Sequence, residues 1–390
     1  MKDNWPTILY FGNDWFGDNR TSSHHIARLL GGKHKIVYVE CPGLRAPKGS
    51  SRDIKKLFSK VKKSLQGVRK LEENFFLFTL FQIPFHKFKI MRKINSAIIV
   101  YSLKQLCRKL KIKNPILWFV VPHIADVMGK LDEKLAVYYC IDDYSSLPGV
   151  NKVMVENMDE LLTKKADIVF VSAEPLLESK KDMNRNVVLS RHGVDYDHFN
   201  KACSSDIEIA EEVRDMKKPV IGFFGLIETW IDLDLVKFLA QSRPKWNFLM
   251  IGRVAVTDNP CADLPNVRFI GSKKYEILPE YAKIFDVAII PCKINKLIIN
   301  FNPLKLREYL AMGKPVVSVR VPEVEAFSDV IEIADTNQEF LDKVDFVLSN
   351  DNQEKFNKRL DKVKDSSWKS RVDFVVSQVD KILSQKISSK

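Results

Sequence analysis

The stretch Asn300 to Ser318, NFNPLKLREYLAMGKPVVS, decides how the chain is read. Asn302 is a residue type that caps helices, and Pro303 suits a first helical position, where a missing N–H costs nothing. Leu304, Leu306 and Leu310 recur at roughly helical spacing on an apolar face. Gly313 and Pro315 end the helix, and PVVSV then reads as a buried strand. The start of such a helix offers unpaired N–H groups and a partial positive charge, which suits a phosphate. Lys305 lies in that first turn, where a cation opposes the helix dipole and adds little to folding. Glu308 follows three residues later on the same face. A cation and a carboxylate beside such a helix end point to a nucleoside diphosphate, with Lys305 for the phosphates and Glu308 for ribose hydroxyls. The plainer alternative is a surface helix with an i,i+3 ion pair, worth about 0.2–0.5 kcal/mol.

Outward from this stretch, apolar strands alternate with helices. ILYFG (8–12), KIVYVE (35–40), FFLFTL (75–80), PILWFVV (115–121), LAVYYC (135–140), DIVFVS (167–172) and NVVLS (186–190) read as strands of one series. A polar stretch around Val194 to Lys218 reads as a junction. A second series follows with PVIGFFG (219–225), a helix over LDLVKFLAQS, WNFLMIG (246–252), VRFIG (267–271), a helix over YEILPEYAKIF and DVAIIP (286–291). Two long helices close the chain, the last amphipathic over Trp368 to Gln385. Near-continuous apolar strands imply parallel sheets covered on both faces. The expected fold class is α/β, with two doubly wound domains facing a central cleft at the carboxyl ends of the strands.

A length of 390 residues exceeds one ordinary core and agrees with two domains. The boundaries fall at 1–200, 201–365 and a closing helix over 366–390. No apolar run is long enough to span a bilayer, and MKDNWPTILYFG lacks a signal-peptide apolar region. The six cysteines are scattered without a CxxC pair, which predicts reduced thiols in a cytosolic compartment and no structural zinc site. Charge is concentrated. Between Arg45 and Lys113 stand nineteen Lys/Arg and three acids, a net of +16, whereas the whole chain carries +13. In RDIKKLFSKVKKSLQGVRK (52–70), Ile54, Leu57, Phe58, Val61, Leu65 and Val68 form one apolar stripe among Lys55, Lys56, Lys60, Lys62 and Lys63. Such a helix suits an anionic membrane surface. The segment over 86–113 is also cationic and contains no acid. A nucleic-acid partner is not expected, because no reading motif or stacking platform accompanies the charge.

Several segments together resemble one family. HGVDYDHF, GFFGLIETWIDLDLVKFLA, VRFIGSKKYEILPEYAKIFDVAIIPC and NPLKLREYLAMGKPVVS are similar to the bacterial group 1 (family 4-like) glycosyltransferases of the GT-B fold. They occur in the family's order across most of residues 190–325, and VYYCIDDY and ADIVFVSAEPL match more loosely. The resemblance implies two Rossmann-like domains, nucleotide-sugar binding in the C-terminal one, acceptor binding in the N-terminal one, and a last helix that crosses back to the first domain. By position it makes Glu308 the ribose-binding acid, Pro303, Leu304 and Lys305 the pyrophosphate cradle, and Gly225 the glycine loop. The family often carries a second Glu eight positions before the ribose acid, where this chain has Asn300, which can bond a sugar hydroxyl but cannot ionise. The family's Arg and Lys beyond the glycine loop are replaced by Glu228 and Trp230.

Other constellations fall at strand ends. Asp142-Asp143 follow LAVYYC and His123 follows PILWFVV, so Asp143 or His123 could serve as a general base on an acceptor hydroxyl. The alternative for either Asp is a turn cap. His24-His25 open the first helix after a cap at Ser22 or Ser23. Asp232-Leu233-Asp234 is a DxD sequence at a helix start, where acids suit the dipole without any metal. No metal is expected.

The sequence reading is therefore a cytoplasmic glycosyltransferase, peripheral on the inner face of the plasma membrane. It would move a sugar from a UDP- or GDP-linked donor to a lipid-linked or polysaccharide acceptor in cell-envelope glycan synthesis. Donor binding falls to Gly225, Asn300, Asn302, Pro303, Leu304, Lys305 and Glu308. A nucleotide-sugar epimerase of the same architecture and a non-catalytic basic membrane or nucleic-acid scaffold are the alternatives.

Overall fold

Apolar strands and helices gather into two sheets, each in its own contact unit, in a computed structural model that describes residues 5–16, 20–41, 43–44, 64, 66–82 and 89–388. The first unit takes its described residues from 1–17, 21–191 and 372–390, and the second from 18–20 and 192–371.

The first unit holds an eight-stranded sheet. Its strands are β1 (Ile8–Gly12), β2 (Ile36–Glu40), β3 (Arg69–Glu72), β4 (Phe75–Thr79), β5 (Ile116–Phe119), β6 (Leu135–Cys140), β7 (Ile168–Val171) and β8 (Val187–Leu189). Their order is β3-β4-β2-β1-β5-β6-β7-β8, with only the β3/β4 pair antiparallel. Every residue from Ile8 to Phe11 and from Ile36 to Val39 is fully buried, as a sheet covered on both faces requires. Residues Val372, Val375, Val379 and Leu383 give the last helix (Trp368–Ser388) a buried stripe. Trp5 Nε1 donates to Asp380 at 2.6 Å, and Lys33–Asp373 and Lys386–Asp167 ion pairs bind the same helix to this unit. The closing helix thus returns to the first domain.

The second unit holds six parallel strands: β9 (Val220–Phe224), β10 (Asn247–Ile251), β11 (Val267–Phe269), β12 (Val287–Ile290), β13 (Val316–Val319) and β14 (Glu332–Ala334). Their order is β11-β10-β9-β12-β13-β14. Strand order reverses between β1 and β5 in the first sheet and between β9 and β12 in the second. At such a reversal, connections leave in opposite directions and open a crevice at the strand carboxyl ends.

Some local expectations are corrected. The helix over Leu304–Ala311 is capped by Pro303, not Asn302, and Thr21 rather than Ser22 or Ser23 caps Ser22–Gly31. Residues 52–70 cannot all be helical, because Gly67 has φ +68 and β3 begins at Arg69. Lys55, Lys56, Lys60, Lys62 and Lys63 lie outside the described residues. YEILPEYAKIF splits into a tight turn at Tyr275–Ile277 and a short helix at Leu278–Ala282, where Pro279 sets the start. Among the described residues no helix is long and apolar enough to cross a membrane.

The helix Leu304–Ala311 is held along its length and at its far end. Near its middle, the Tyr309 hydroxyl accepts the Phe224 N–H at 3.0 Å, with both residues buried. At its far end Gly313 turns at φ +64, and Arg359 Nε donates to the Gly313 carbonyl at 2.8 Å. Tyr309→Phe removes the acceptor and leaves a buried amide unpaired, so it should cost about 1–3 kcal/mol in urea unfolding. A cost below about 0.5 kcal/mol would show that water replaces the hydroxyl without loss.

Candidate functional site

Strands β9 and β10 end in glycines that nearly touch. A Cβ on Gly252, at φ +147, would lie 1.7 Å from the Gly225 carbonyl oxygen. No side chain fits there, so two parallel strand ends leave bare backbone at the reversal point. Gly225 has φ +149, and a Cβ on it would stand 3.1 Å from Lys305 Cε. Lys305 therefore lies across the glycine turn. These residues line a pocket with Ser272, Lys273, Tyr275 and Glu308.

Lys305 and Glu308 in this pocket are half-buried. Among the described residues neither Lys305 nor Glu308 forms a side-chain hydrogen bond or ion pair. Burial raises the Glu308 pKa, the Lys305 ammonium opposes that rise, and Asp195 adds to it. Lys273, on the rim, is paired with Glu212 at 2.5 Å. Tyr275 brings in another element: its hydroxyl donates to Asp195 at 3.4 Å, and its ring stacks on His198 at 4.5 Å. The Arg20 guanidinium stands 4.4 Å from the same ring centroid.

The loop before the helix is fixed from beneath. Asn302 is buried, accepts from Arg307 Nη1 at 2.5 Å and donates to Glu323 at 2.9 Å. Arg307 and Glu323 are each 2 % exposed, so this is a buried charged pair bridged by an amide. The Asn302 side chain holds the loop, and the backbone of Pro303 and Leu304 remains at the pocket edge. Asn300 ends the short helix Lys296–Ile299 and donates to the Lys296 carbonyl at 2.8 Å. Sequence reasoning did not single out Tyr275, Asp195, Arg307, Glu323 or Gly252. Their value comes from contacts distant in sequence, although HGVDYDHF already carried Asp195.

Comparison with known proteins bears on this arrangement. Residues 218–358 match the family model described as "Glycosyl transferases group 1". A curated relative, the putative teichuronic acid biosynthesis glycosyltransferase TuaH of Bacillus subtilis (strain 168), is 22% identical over 333 residues, 79% of each chain. Among solved structures, sucrose-phosphate synthase from Thermosynechococcus elongatus superposes with a TM-score of 0.70 at 11% identity, covering 99% of this chain and 100% of that one. Anabaena HepE in complex with UDP and glucose gives 0.68 at 11% identity, covering 96% and 99%. The chain is a GT-B glycosyltransferase related to the group 1 family. The transferase moves a sugar from a nucleoside-diphosphate-sugar donor.

In its first unit the transferase separates the two aspartates after β6. Asp143 caps the turn Tyr144–Ser146: its oxygens accept from Ser145 Oγ at 2.6 Å, Ser145 N at 3.2 Å and Ser146 Oγ at 2.8 Å. The turn-cap alternative describes this residue. Asp142 makes no side-chain hydrogen bond among the described residues, and burial, then the neighbouring Asp143 charge, push its pKa up to about 7. Beside it the Tyr144 hydroxyl is buried without a hydrogen-bond partner among the described residues. His123 follows β5 in the turn Pro122–Val127 and lines a separate pocket with Asp126 and Asn95. His24 is structural: its ring bonds the Thr21 N–H at 3.1 Å and the Asp14 carbonyl at 3.1 Å. In the DxD sequence Asp232 caps a helix through Leu235 N, and Asp234 pairs with Lys293 at 3.0 Å. Glu228 bonds the N–H of Thr229 at 3.0 Å.

Because the folded-state pKa of Asp142 lies above its unfolded value, the protonated carboxyl favours the fold, and this contribution fades as pH rises through about 7. Asp142→Asn stays neutral throughout. It should exceed the wild type in stability by on the order of 1–3 kcal/mol at about pH 8 and match it near pH 4 in urea unfolding. A variant less stable than wild type at the higher pH would contradict the assigned burial.

Proposed function

We propose that the transferase takes a UDP- or GDP-linked sugar and passes it to a lipid-linked or polysaccharide acceptor in cell-envelope glycan synthesis. One observation carries the donor reading: Lys305 and Glu308 stand unpartnered and half-buried beside the glycine ends of β9 and β10. A half-buried ammonium and carboxylate without direct hydrogen-bond partners cost stability that a bound ligand would offset. In this reading Lys305 and the free amides at the start of Leu304–Ala311 take the diphosphate, and Glu308 accepts from ribose hydroxyls. The glycines let the phosphates approach the backbone. The acceptor hydroxyl attacks the anomeric carbon and the bond from that carbon to the diphosphate oxygen breaks. The diphosphate keeps the electron pair, and the hydroxyl proton passes to a base. Charge grows on the leaving diphosphate, so catalysis comes mostly from groups already placed to neutralise it.

For the base we favour Asp142 over Asp143, because Asp143 is committed to its turn while Asp142 has a pKa of about 7, near working pH. His123 is the other candidate. Asn300, bonded within its own short helix, would meet the sugar as a neutral amide. UDP is favoured by HepE, a similar fold that holds UDP and glucose, and an envelope acceptor by the teichuronic acid relative.

Calorimetry with UDP, GDP, ADP and their sugars tests the donor site. Wild type should bind one nucleoside diphosphate. Lys305→Ala and Glu308→Gln should each weaken it by about tenfold or more with unchanged circular dichroism. Unaltered affinity in both variants would remove the assignment, and turnover of the sugar nucleotide without acceptor would favour the epimerase.

The basic region between Arg45 and Lys113 supports docking on an anionic membrane, since a helix that merely covers a sheet does not need such an imbalance of charge. Binding to anionic vesicles should fall strongly as salt rises to about 0.5 M, while neutral vesicles bind weakly throughout. Equal binding to both vesicle types would count against membrane docking.

A further inference from the structure

Three cations line the pocket at the glycine ends of β9 and β10: Lys305, Lys273 and Arg20, all of them in the second unit. The donor reading uses only Lys305. A sugar nucleotide carries a negative charge on each phosphate, and a further charge develops as the sugar leaves. Lys305 alone does not match that charge, because the Glu308 carboxylate lies in the same pocket.

The other two cations differ in how firmly they are held. Lys273 pairs with Glu212 at 2.5 Å, and the Tyr281 hydroxyl donates to the same carboxylate at 2.9 Å. The Lys273 side chain is only 17% exposed, so breaking this cluster would strand polar groups away from water. Arg20 is held differently. Its Nη2 pairs with Glu276 at 2.9 Å, but the Glu276 side chain is 63% exposed, and an ion pair that reaches into water is worth little. Its firmer support is aromatic, since the guanidinium stands 4.4 Å from the Tyr275 ring centroid. That ring is itself fixed. It stacks on His198 at 4.5 Å, His198 Nε2 bonds the Tyr275 carbonyl at 2.9 Å, and the Tyr275 hydroxyl donates to Asp195.

We propose that Arg20 is a ligand of a donor phosphate and that Glu276 occupies it until the donor arrives. The guanidinium stays on the Tyr275 ring, gives up an exposed carboxylate and takes phosphate oxygens, for which its planar fork is suited. Glu276 returns to water at little cost. Carboxylate and donor thus compete for one cation, and removing either member of the ion pair acts on donor affinity in opposite directions. This assignment rests on the reading of the pocket as the donor site.

The full chain is titrated with UDP and with GDP in a calorimeter, and the tighter nucleotide is carried to the variants. Arg20→Gln should weaken that nucleotide by about tenfold. Glu276→Gln, at an exposed position, should tighten it by about threefold. An ion pair that only holds the local structure would make both substitutions weaken the nucleotide alike. Affinity unchanged in Arg20→Gln, or affinity unchanged or weakened in Glu276→Gln, would overturn the proposal. Lys305→Ala separates it from the donor reading. Affinity lost in Lys305→Ala but kept in Arg20→Gln would strike Arg20 alone, whereas a wild type that binds neither nucleotide would strike the donor site and Arg20 with it.

Discussion

The approach of Gly252 to the Gly225 carbonyl sets the geometry on which the second domain's pocket depends. Two parallel strands end with backbone against backbone, and a Cβ at 1.7 Å has no room even after side-chain movement. The helix Leu304–Ala311 must then be brought to the same point from a distant part of the chain. The bond from the Phe224 N–H to the Tyr309 hydroxyl does this by joining the last residue of β9 to the middle of the helix. The buried Arg307–Asn302–Glu323 bridge fixes the approach of the loop, and Arg359 with Gly313 fixes the exit. A pocket that contains few side chains is thus held by polar contacts beneath it. Such contacts are costly to leave half-made, which gives one arrangement of the helix start a clear advantage over its neighbours.

The alternation of apolar strands made both sheets legible, since a strand buried on both faces leaves an uninterrupted run such as ILYFG or LAVYYC. The strands Arg69–Glu72 and Glu332–Ala334 escaped notice because each lies at a sheet edge, where polar residues are tolerated and the apolar signal fades. Lys305 and Glu308 were legible because a lysine in the first turn of a helix opposes the dipole and so invites another explanation. Asn302 was read as a cap on residue type alone. Its actual partners, Arg307 and Glu323, are set by tertiary packing, which local propensity does not encode. The same limit applied to Asp142 and Asp143. Adjacent identical residues differ only in which one the following serines engage.

Asp142 shows how a fold can carry a cost that stability alone would remove. A half-buried carboxyl next to a second carboxylate, with its pKa pushed up to about 7, is unfavourable whenever it is ionised. Among the described residues its side chain makes no hydrogen bond, and the neighbouring Tyr144 hydroxyl is itself buried without a partner. Asp143 has the opposite environment, with three donors from Ser145 and Ser146, and needs no function to account for it. Groups whose environments push their acidities apart are where proton-transfer roles are best sought. Here the structural residue and the candidate base are consecutive in the chain.

The proposed donor site would meet a charge that changes during transfer, and its geometry follows from that demand. On the donor side the diphosphate gains charge as the sugar leaves. Only contacts that strengthen with that change lower the barrier, so a fixed helix end and one lysine held against a glycine turn are effective.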